Sequence, residues 1–251
     1  MDRNKFSMIA HRHHVFYNPL SEPKLARMLE RMGLQTGAHV LDVGAGQGEL
    51  ALRTIERFGV KVTALELSEE ITELGRTRAK GRAADGSLNY RVGDAQEAVM
   101  TIPEGSFDAA LCVGSSHALG GRDAALRELL RLLKPGGMLL LGEGYWKMKP
   151  AAAYLEALGG AEESELTSHA GNVSAGEEAG FHPVWAAVTS EDEWDEYEWL
   201  YAKSIEDYAL ERPDDPDVPA MLERSRRWRS TYMTWGRDTL GFGMYLFRKP
   251  V

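Results

Sequence analysis

Apolar and polar positions follow two periods along the chain, and the switches between them mark out its elements. Short apolar runs over residues 40–43, 61–66, 88–92, 107–113, 138–146, 181–188 and 241–248 read as strands. Helical spacing fills the gaps: residues 49–57, a helix from Ser68 to about 83 with Ile71 and Leu74 on its buried side, and residues 122–133 with Leu126, Leu129, Leu130 and Leu133. KPGG at residues 134–137 predicts the stop of that last helix. The run over 107–113 is almost wholly apolar, which predicts a central parallel strand covered on both faces. Strands alternating with helices predict an α/β fold with a doubly wound, mostly parallel sheet.

Two segments exceed that plan. Residues 21–32 carry Leu25, Met28, Leu29 and Met32 on one helical face, with Pro23 tolerated in the first turn. The stretch between the sixth and seventh strands is far too long for a hairpin. It divides at Pro213 and Pro216 into helices over 190–211 and 218–236. Trp194, Tyr197, Tyr201, Ile205 and Tyr208 lie close to one face of the first. We expect residues 190–236 to form a helical lid over an acceptor pocket, within a domain over 34–251 and behind an N-terminal arm and helix over 1–33.

The candidate chemistry begins at VLDVGAGQG, residues 40–48, a buried strand that ends in Asp42 and turns on Gly44, Gly46 and Gly48. In an open α/β sheet the ligand sits at such carboxyl ends. The dinucleotide fingerprint requires G-x-G-x-x-G, but here the third glycine comes one residue early and Glu49 follows it. A pyrophosphate would also meet the like charges of Asp42 and Glu49, so a ligand bearing an amine or sulfonium fits better. Glu66 ends the next strand, where a carboxylate can accept both hydroxyls of a ribose. Ser68 is placed to cap the following helix. Asp94, after the third strand, either accepts an adenine amine or caps the next helix.

These elements resemble, in order, the class I S-adenosylmethionine-dependent methyltransferases: VLDVGAGQG, Glu66, GDAQE, FDAALCVGSSHAL and LLRLLKPGGMLLLGEG, across residues 34–144. The resemblance implies a Rossmann-like fold with a seven-stranded sheet, antiparallel at its terminal strand. It implies S-adenosylmethionine as cofactor and S-adenosylhomocysteine as product. Asp42, Gly44, Ala45 and Gly46 would surround the methionine end, Glu66 and Leu67 the ribose side, Asp94 and Ala95 the adenine, and Val113 and Gly114 the methyl-donor side. The whole chain is also similar to a group of bacterial small-molecule methyltransferases with an HHVFYNPLS-like start, GEGYW after strand five and a terminal run that reads TWGRDTLGF here.

Charge and composition narrow the partners. The net charge is −9, with 38 acidic against 29 basic side chains, which argues against broad nucleic-acid contact. The one basic cluster, RSRRWR at residues 224–229, would turn Met221, Leu222, Ser225 and Trp228 inward and leave its arginines in water or in salt bridges. No apolar stretch approaches the roughly eighteen residues of a membrane span, and none reads as a signal peptide. The single cysteine, Cys112, predicts a buried structural thiol and a cytoplasmic protein. His11, His13 and His14 suggest a metal site, but His39, His117, His169 and His182 form no ligand pair and there is no second cysteine, which argues against a metal. Monomer and dimer remain equally open.

For catalysis, methyl transfer asks for alignment, exclusion of water and removal of any proton on the acceptor. His117, just past strand four, is placed either as base and acceptor binder or as a loop-fixing residue. Glu143 ends strand five, and Tyr145 and Trp146 follow it with aromatic faces suited to a flat or cationic acceptor. Trp199, Tyr201 and Trp235 either complete that wall or pack the core. Tyr17 and Asn18 either touch the cofactor or belong to a surface arm. Arg237 and Asp238 either clasp the acceptor or, as favoured here, anchor the lid by an ion pair. The main expectation is methyl transfer to a small molecule without metal. The alternatives are a non-enzymatic S-adenosylmethionine sensor and, more remotely, an NAD-dependent oxidoreductase.

Overall fold

A computed structural model describes residues 3–251, so the first two residues of the expected arm lie outside the described part. The chain divides into two compact units. A sheet unit comprises Glu22–Glu143, His169–Val188 and Gly243–Val251; a helical unit comprises Met1–Ser21, Gly144–Ser168 and Thr189–Phe242. The helix over residues 22–32 therefore falls with the sheet rather than with the arm.

The strands are β1 His39–Val43, β2 Lys61–Glu66, β3 Leu88–Val92, β4 Phe107–Val113, β5 Leu133–Trp146, β6 His182–Val188 and β7 Leu240–Arg248. They form a seven-stranded sheet in the order β3-β2-β1-β4-β5-β7-β6. β1 pairs in parallel with β2 and β4, β2 with β3, and β4 with β5, whereas β6 and β7 are antiparallel. Chain order runs outward in opposite directions from β1 and β4, so the switch point of the sheet lies between them.

The helices are α1 Arg3–Ala10, α2 Glu22–Met32, α3 Glu49–Phe58, α4 Glu69–Ala79, α5 Ala95–Met100, α6 Arg122–Leu132, α7 Ala152–Ala157, α8 His169–Glu178, α9 Glu191–Glu211, α10 Val218–Thr231 and α11 Arg237–Thr239. In the sheet unit, Leu41, Leu111, Leu139 and Leu141 are fully buried in the strands, and Leu126 and Leu129 of α6 in a covering helix. Helix α2 buries Leu25, Met28, Leu29 and Met32, the face its spacing predicts.

Helix α4 departs from expectation. It ends at Ala79, and it buries Thr72 and Gly75 while Leu74 is exposed and Ile71 only half-buried. The reason is Tyr90 of β3: a Cβ on Gly75 would lie 2.1 Å from the Tyr90 hydroxyl, so this face admits only small residues. Helix α6 likewise stops at Leu132, and KPGG lies inside β5 rather than before it. Lys134 of that segment pairs with Asp108 of β4 at 2.6 Å.

The helical unit contains the insertion between β6 and β7. A reciprocal cap starts α9: the Ser190 hydroxyl accepts from the Glu193 N–H at 3.2 Å, and the Glu193 carboxylate accepts from the Ser190 N–H at 2.7 Å. Helix α10 continues through a π turn, Tyr232–Gly236, into α11. Helix α1 is not foreseen by the sequence reading; its Phe6 and Ala10 share a small core with Ile205 of α9 and Met221 of α10. Arg237 anchors this unit by pairing with Asp195 and Glu191 of α9, at 3.1 and 3.3 Å, while Asp238 is exposed. The basic cluster of α10 points outward as expected, with Arg226 paired to Glu206 and Arg227 to Glu223.

Candidate functional site

The carboxyl ends of β1, β2 and β4 gather the candidate cofactor residues inside the sheet unit. Val40, Leu41 and Val43 are buried, as a central strand requires, and Asp42 is buried among them at 2% exposure. Its register partners are Ala64 of β2 and Leu111 of β4, neither able to neutralise it. Burial, with a smaller contribution from the charge of Glu66, pushes the Asp42 carboxyl up to about 8. Its Oδ2 is buried and has no hydrogen-bond partner. A carboxylate so placed is costly until something donates to it, and a cation is the strongest such donor.

The glycine loop then turns as its composition demands. Gly44 has φ 66°, and a Cβ there would lie 2.4 Å from that of Ser115. Ser115 donates to the Val43 carbonyl at 2.5 Å, tying the end of β4 to the end of β1. Gly46 also has positive φ, but a Cβ there would meet nothing within 4 Å, so the loop tip faces open space. Gly48 precedes α3 in the left-handed conformation, and its missing side chain makes room for the Tyr90 hydroxyl. Tyr90 in turn donates to the Gly46 carbonyl at 3.3 Å.

Glu66 is held from two sides. Its Oε2 accepts from the Gly46 N–H at 2.9 Å and its Oε1 from the Ser68 N–H at 3.0 Å, so the carboxylate joins the glycine loop to the end of β2. Each oxygen retains a lone pair for a diol. Leu67 beside it is 74% exposed, an apolar side chain at the surface of the site. Ser68 caps α4 through the Ile71 N–H at 3.3 Å, as expected. Asp94 realises the capping alternative: its Oδ1 accepts from Gln96 and Glu97 N–H at 2.7 and 3.2 Å. Those bonds engage one oxygen only. Ala95 is buried, Val113 half-buried and Gly114 exposed, with the Gly114 N–H donating to the Gly142 carbonyl.

Glu49 requires a correction to the sequence argument. It is bonded by Arg53 at 2.8 Å and by Arg82 at 2.7 Å, with Arg78 at 3.5 Å, and against its own burial these cations hold its carboxyl below the usual range. Its charge is largely compensated, so the case against a pyrophosphate rests on Asp42 and the early third glycine.

The candidates for catalysis are scattered more widely. His117 lies on a 3-10 turn, Ser116–Leu119, with its side chain exposed. Glu143 is half-buried, and its charge is among those that raise the Cys112 thiol, which burial pushes up to about 12. Cys112 is thus a buried, inert thiol, as its strand context predicts.

The aromatic candidates of the helical unit are occupied by packing. The Trp146 indole N–H donates to the Glu163 carbonyl at 2.9 Å, and its ring meets Tyr154 edge-on at 6.1 Å. Trp235 stacks on the same Tyr154, and Tyr145 lies against Gly241, where a Cβ would come within 2.3 Å of its ring. Trp199 is half-exposed beneath Arg229, and Tyr201 packs edge-on against Phe6. The carbonyl of Tyr17 accepts from the Tyr197 hydroxyl at 3.4 Å, and Asn18 is half-buried.

Tyr90 and Ser115 escaped the sequence reading as site residues. Only the glycines they fill, Gly44, Gly48 and Gly75, carried a trace of them. Among the described residues no group of three His, Cys, Asp or Glu side chains is set to hold a metal. No described helix is long and apolar enough to cross a membrane.

Residues 40–137 match the family described as a methyltransferase domain. YjhP of Escherichia coli K12 is 28% identical over 255 residues, covering 98% of either chain. The 27-O-demethylrifamycin SV methyltransferase of Amycolatopsis mediterranei is 32% identical over 152 residues, covering 58% of this chain and 54% of that protein. Among solved structures, a SAM-dependent methyltransferase of Thiobacillus denitrificans in complex with S-adenosylhomocysteine superposes with a TM-score of 0.87 at 27% identity, covering 98% of this chain and 99% of the other.

Proposed function

Because this chain is a class I S-adenosylmethionine-dependent methyltransferase, we propose that it methylates a nucleophilic atom of a small molecule by direct in-line displacement, without a metal. The observation that carries the site assignment is Asp42: a buried carboxylate with an unpartnered oxygen, beside Glu66, at the switch point of the sheet. That pair suits a ligand with an ammonium at one end and a ribose diol at the other, and it opposes a pyrophosphate.

In this reading Asp42 and the loop Gly44, Ala45 and Gly46 hold the methionine end of S-adenosylmethionine. Glu66 accepts from the ribose hydroxyls, Leu67 offers an apolar face, and Asp94 and Ala95 line the adenine side. Val113 and Gly114 line the methyl-donor side. When bound, the cofactor supplies a methyl group already activated on a sulfonium. What the protein adds is position, dryness and a route for a proton. His117 is assigned to orient the acceptor or take its proton, and Glu143 to support it. Tyr145, Trp146, Trp199, Tyr201 and Trp235 are engaged in packing within the helical unit, so no acceptor contact is assigned to them.

A small-molecule acceptor is further supported by the acceptor named for one relative, 27-O-demethylrifamycin SV, while the net charge of −9 opposes a nucleic-acid acceptor. The test is transfer from methyl-labelled S-adenosylmethionine into a cell extract separated into small molecules, protein and nucleic acid. Label in the small-molecule fraction, with matching S-adenosylhomocysteine, is expected. Label confined to protein or nucleic acid contradicts the proposal, and binding without any transfer points to a sensor.

A further inference from the structure

A second carboxylate deserves an assignment, and it lies wholly within the helical unit. Glu198 sits on the apolar side of α9, one turn after Trp194, and is 5% exposed. It lines a cavity of about 650 Å³, together with His11, Tyr197, Tyr201, Arg224 and Trp228 among others. Among the described residues, the only side-chain bond made to Glu198 is from the Trp228 indole N–H to Oε2, at 2.6 Å.

No positive charge in the cavity answers it. His11 is kept neutral by burial, which lowers its ring below the ordinary histidine range. The Arg224 guanidinium stacks over the Phe6 ring at 4.7 Å, and Arg227 pairs with Glu223 at the surface. Neither arginine relieves Glu198, whose carboxyl burial pushes up to about 7 against the single opposing bond from Trp228. Burial raises the hydroxyls of Tyr154, Tyr197, Tyr201 and Tyr232, and the charge of Glu198 adds a smaller contribution in the same direction.

A glutamine or methionine would pack at this position without the cost of burying a charge. A carboxylate that opens onto a cavity and is flanked by aromatic faces is the arrangement that recognises an organic cation. We propose that this cavity binds a small organic ammonium, with Glu198 as its counter-ion and Tyr197, Tyr201 and Trp228 as its aromatic wall. The inference stands apart from the methyl-transfer reading, because it concerns a site inside one unit and does not depend on what the sheet unit holds.

The experiment is titration of the full protein with benzylamine and benzyltrimethylammonium, with benzyl alcohol as the neutral analogue, followed by calorimetry and tryptophan fluorescence. At least one ammonium is expected to bind saturably and about tenfold or more tighter than the alcohol. Glu198→Gln, which keeps the shape and an acceptor for Trp228, should erase that preference while S-adenosylhomocysteine affinity stays within about twofold. Glu198→Asp provides a second variant and should weaken the ammonium by about threefold or more. Equal binding of ammonium and alcohol, binding of neither, or a preference that survives in folded Glu198→Gln overturns the proposal.

Discussion

At the scale of single residues, the account turns on carboxylates that the fold buries. Asp42 ionises only near pH 8 in the folded protein, against an ordinary value of 3.8. A raised acid pKa means that the folded state holds its proton more tightly than the unfolded chain. The associated stability is therefore complete below about pH 4 and is lost as pH rises through 8. Asp42→Asn should remove that decline, and at pH 8 the ligand-free variant should be the more stable protein, by several kcal/mol at most. Urea denaturation at pH 5 and pH 8 measures it, and parallel losses in both proteins contradict it. If Asp42 meets an ammonium, cofactor binding at pH 7 should also release about one proton. Calorimetry in buffers of different ionisation heat detects that release.

At the scale of elements, the glycine loop and β3 interlock. Gly48→Ala forces a Cβ to within 2.3 Å of the Tyr90 hydroxyl, in a left-handed backbone. We expect a loss of roughly 2–4 kcal/mol from overpacking and backbone strain together. Tyr90→Phe in the same chain should recover part of it, since the hydroxyl is the atom struck first. Strict additivity of the two changes would remove the contact from the explanation. Helix α9 offers a second check. Ser190→Ala breaks its reciprocal cap and should cost about 0.5–2 kcal/mol, visible as a lowered thermal midpoint.

The same elements show what the sequence makes legible. Helix α9 announces itself through its aromatic stripe and the prolines that follow it, and β1 through an apolar run stopped by glycines. Helix α1 does not, because its apolar face of Phe6, Ile9 and Ala10 lies in a helix of only 8 residues and its partners Ile205 and Met221 are remote in sequence. The inward face of α4 was misread for a related reason. Hydrophobic periodicity favours Ile71 and Leu74, whereas the space beside Tyr90 selects Thr72 and Gly75. Backbone-directed residues such as Asp42 and Glu66 are readable from position alone. Residues that act by filling a space, such as Tyr90 and Ser115, become visible only with the packing.

At the scale of the whole molecule, the sheet unit carries the proposed cofactor residues at its strand ends, and the helical unit carries the packed aromatic residues and the buried Glu198. The proposed methyl-donor site is legible because glycines and acids at strand ends are set by backbone geometry. The helical unit is less legible, because the mutual packing of side chains such as Trp146, Trp235 and Tyr154 is specified by no local pattern. The sharpest test of the account is calorimetric titration of S-adenosylmethionine, S-adenosylhomocysteine and NADH into the wild-type protein and its Glu66→Ala variant. The account predicts that both adenosyl compounds bind, that NADH does not, and that the variant loses about 1.5–3 kcal/mol of adenosyl affinity while remaining folded. Binding of NADH, or adenosyl affinity indifferent to Glu66, would contradict it.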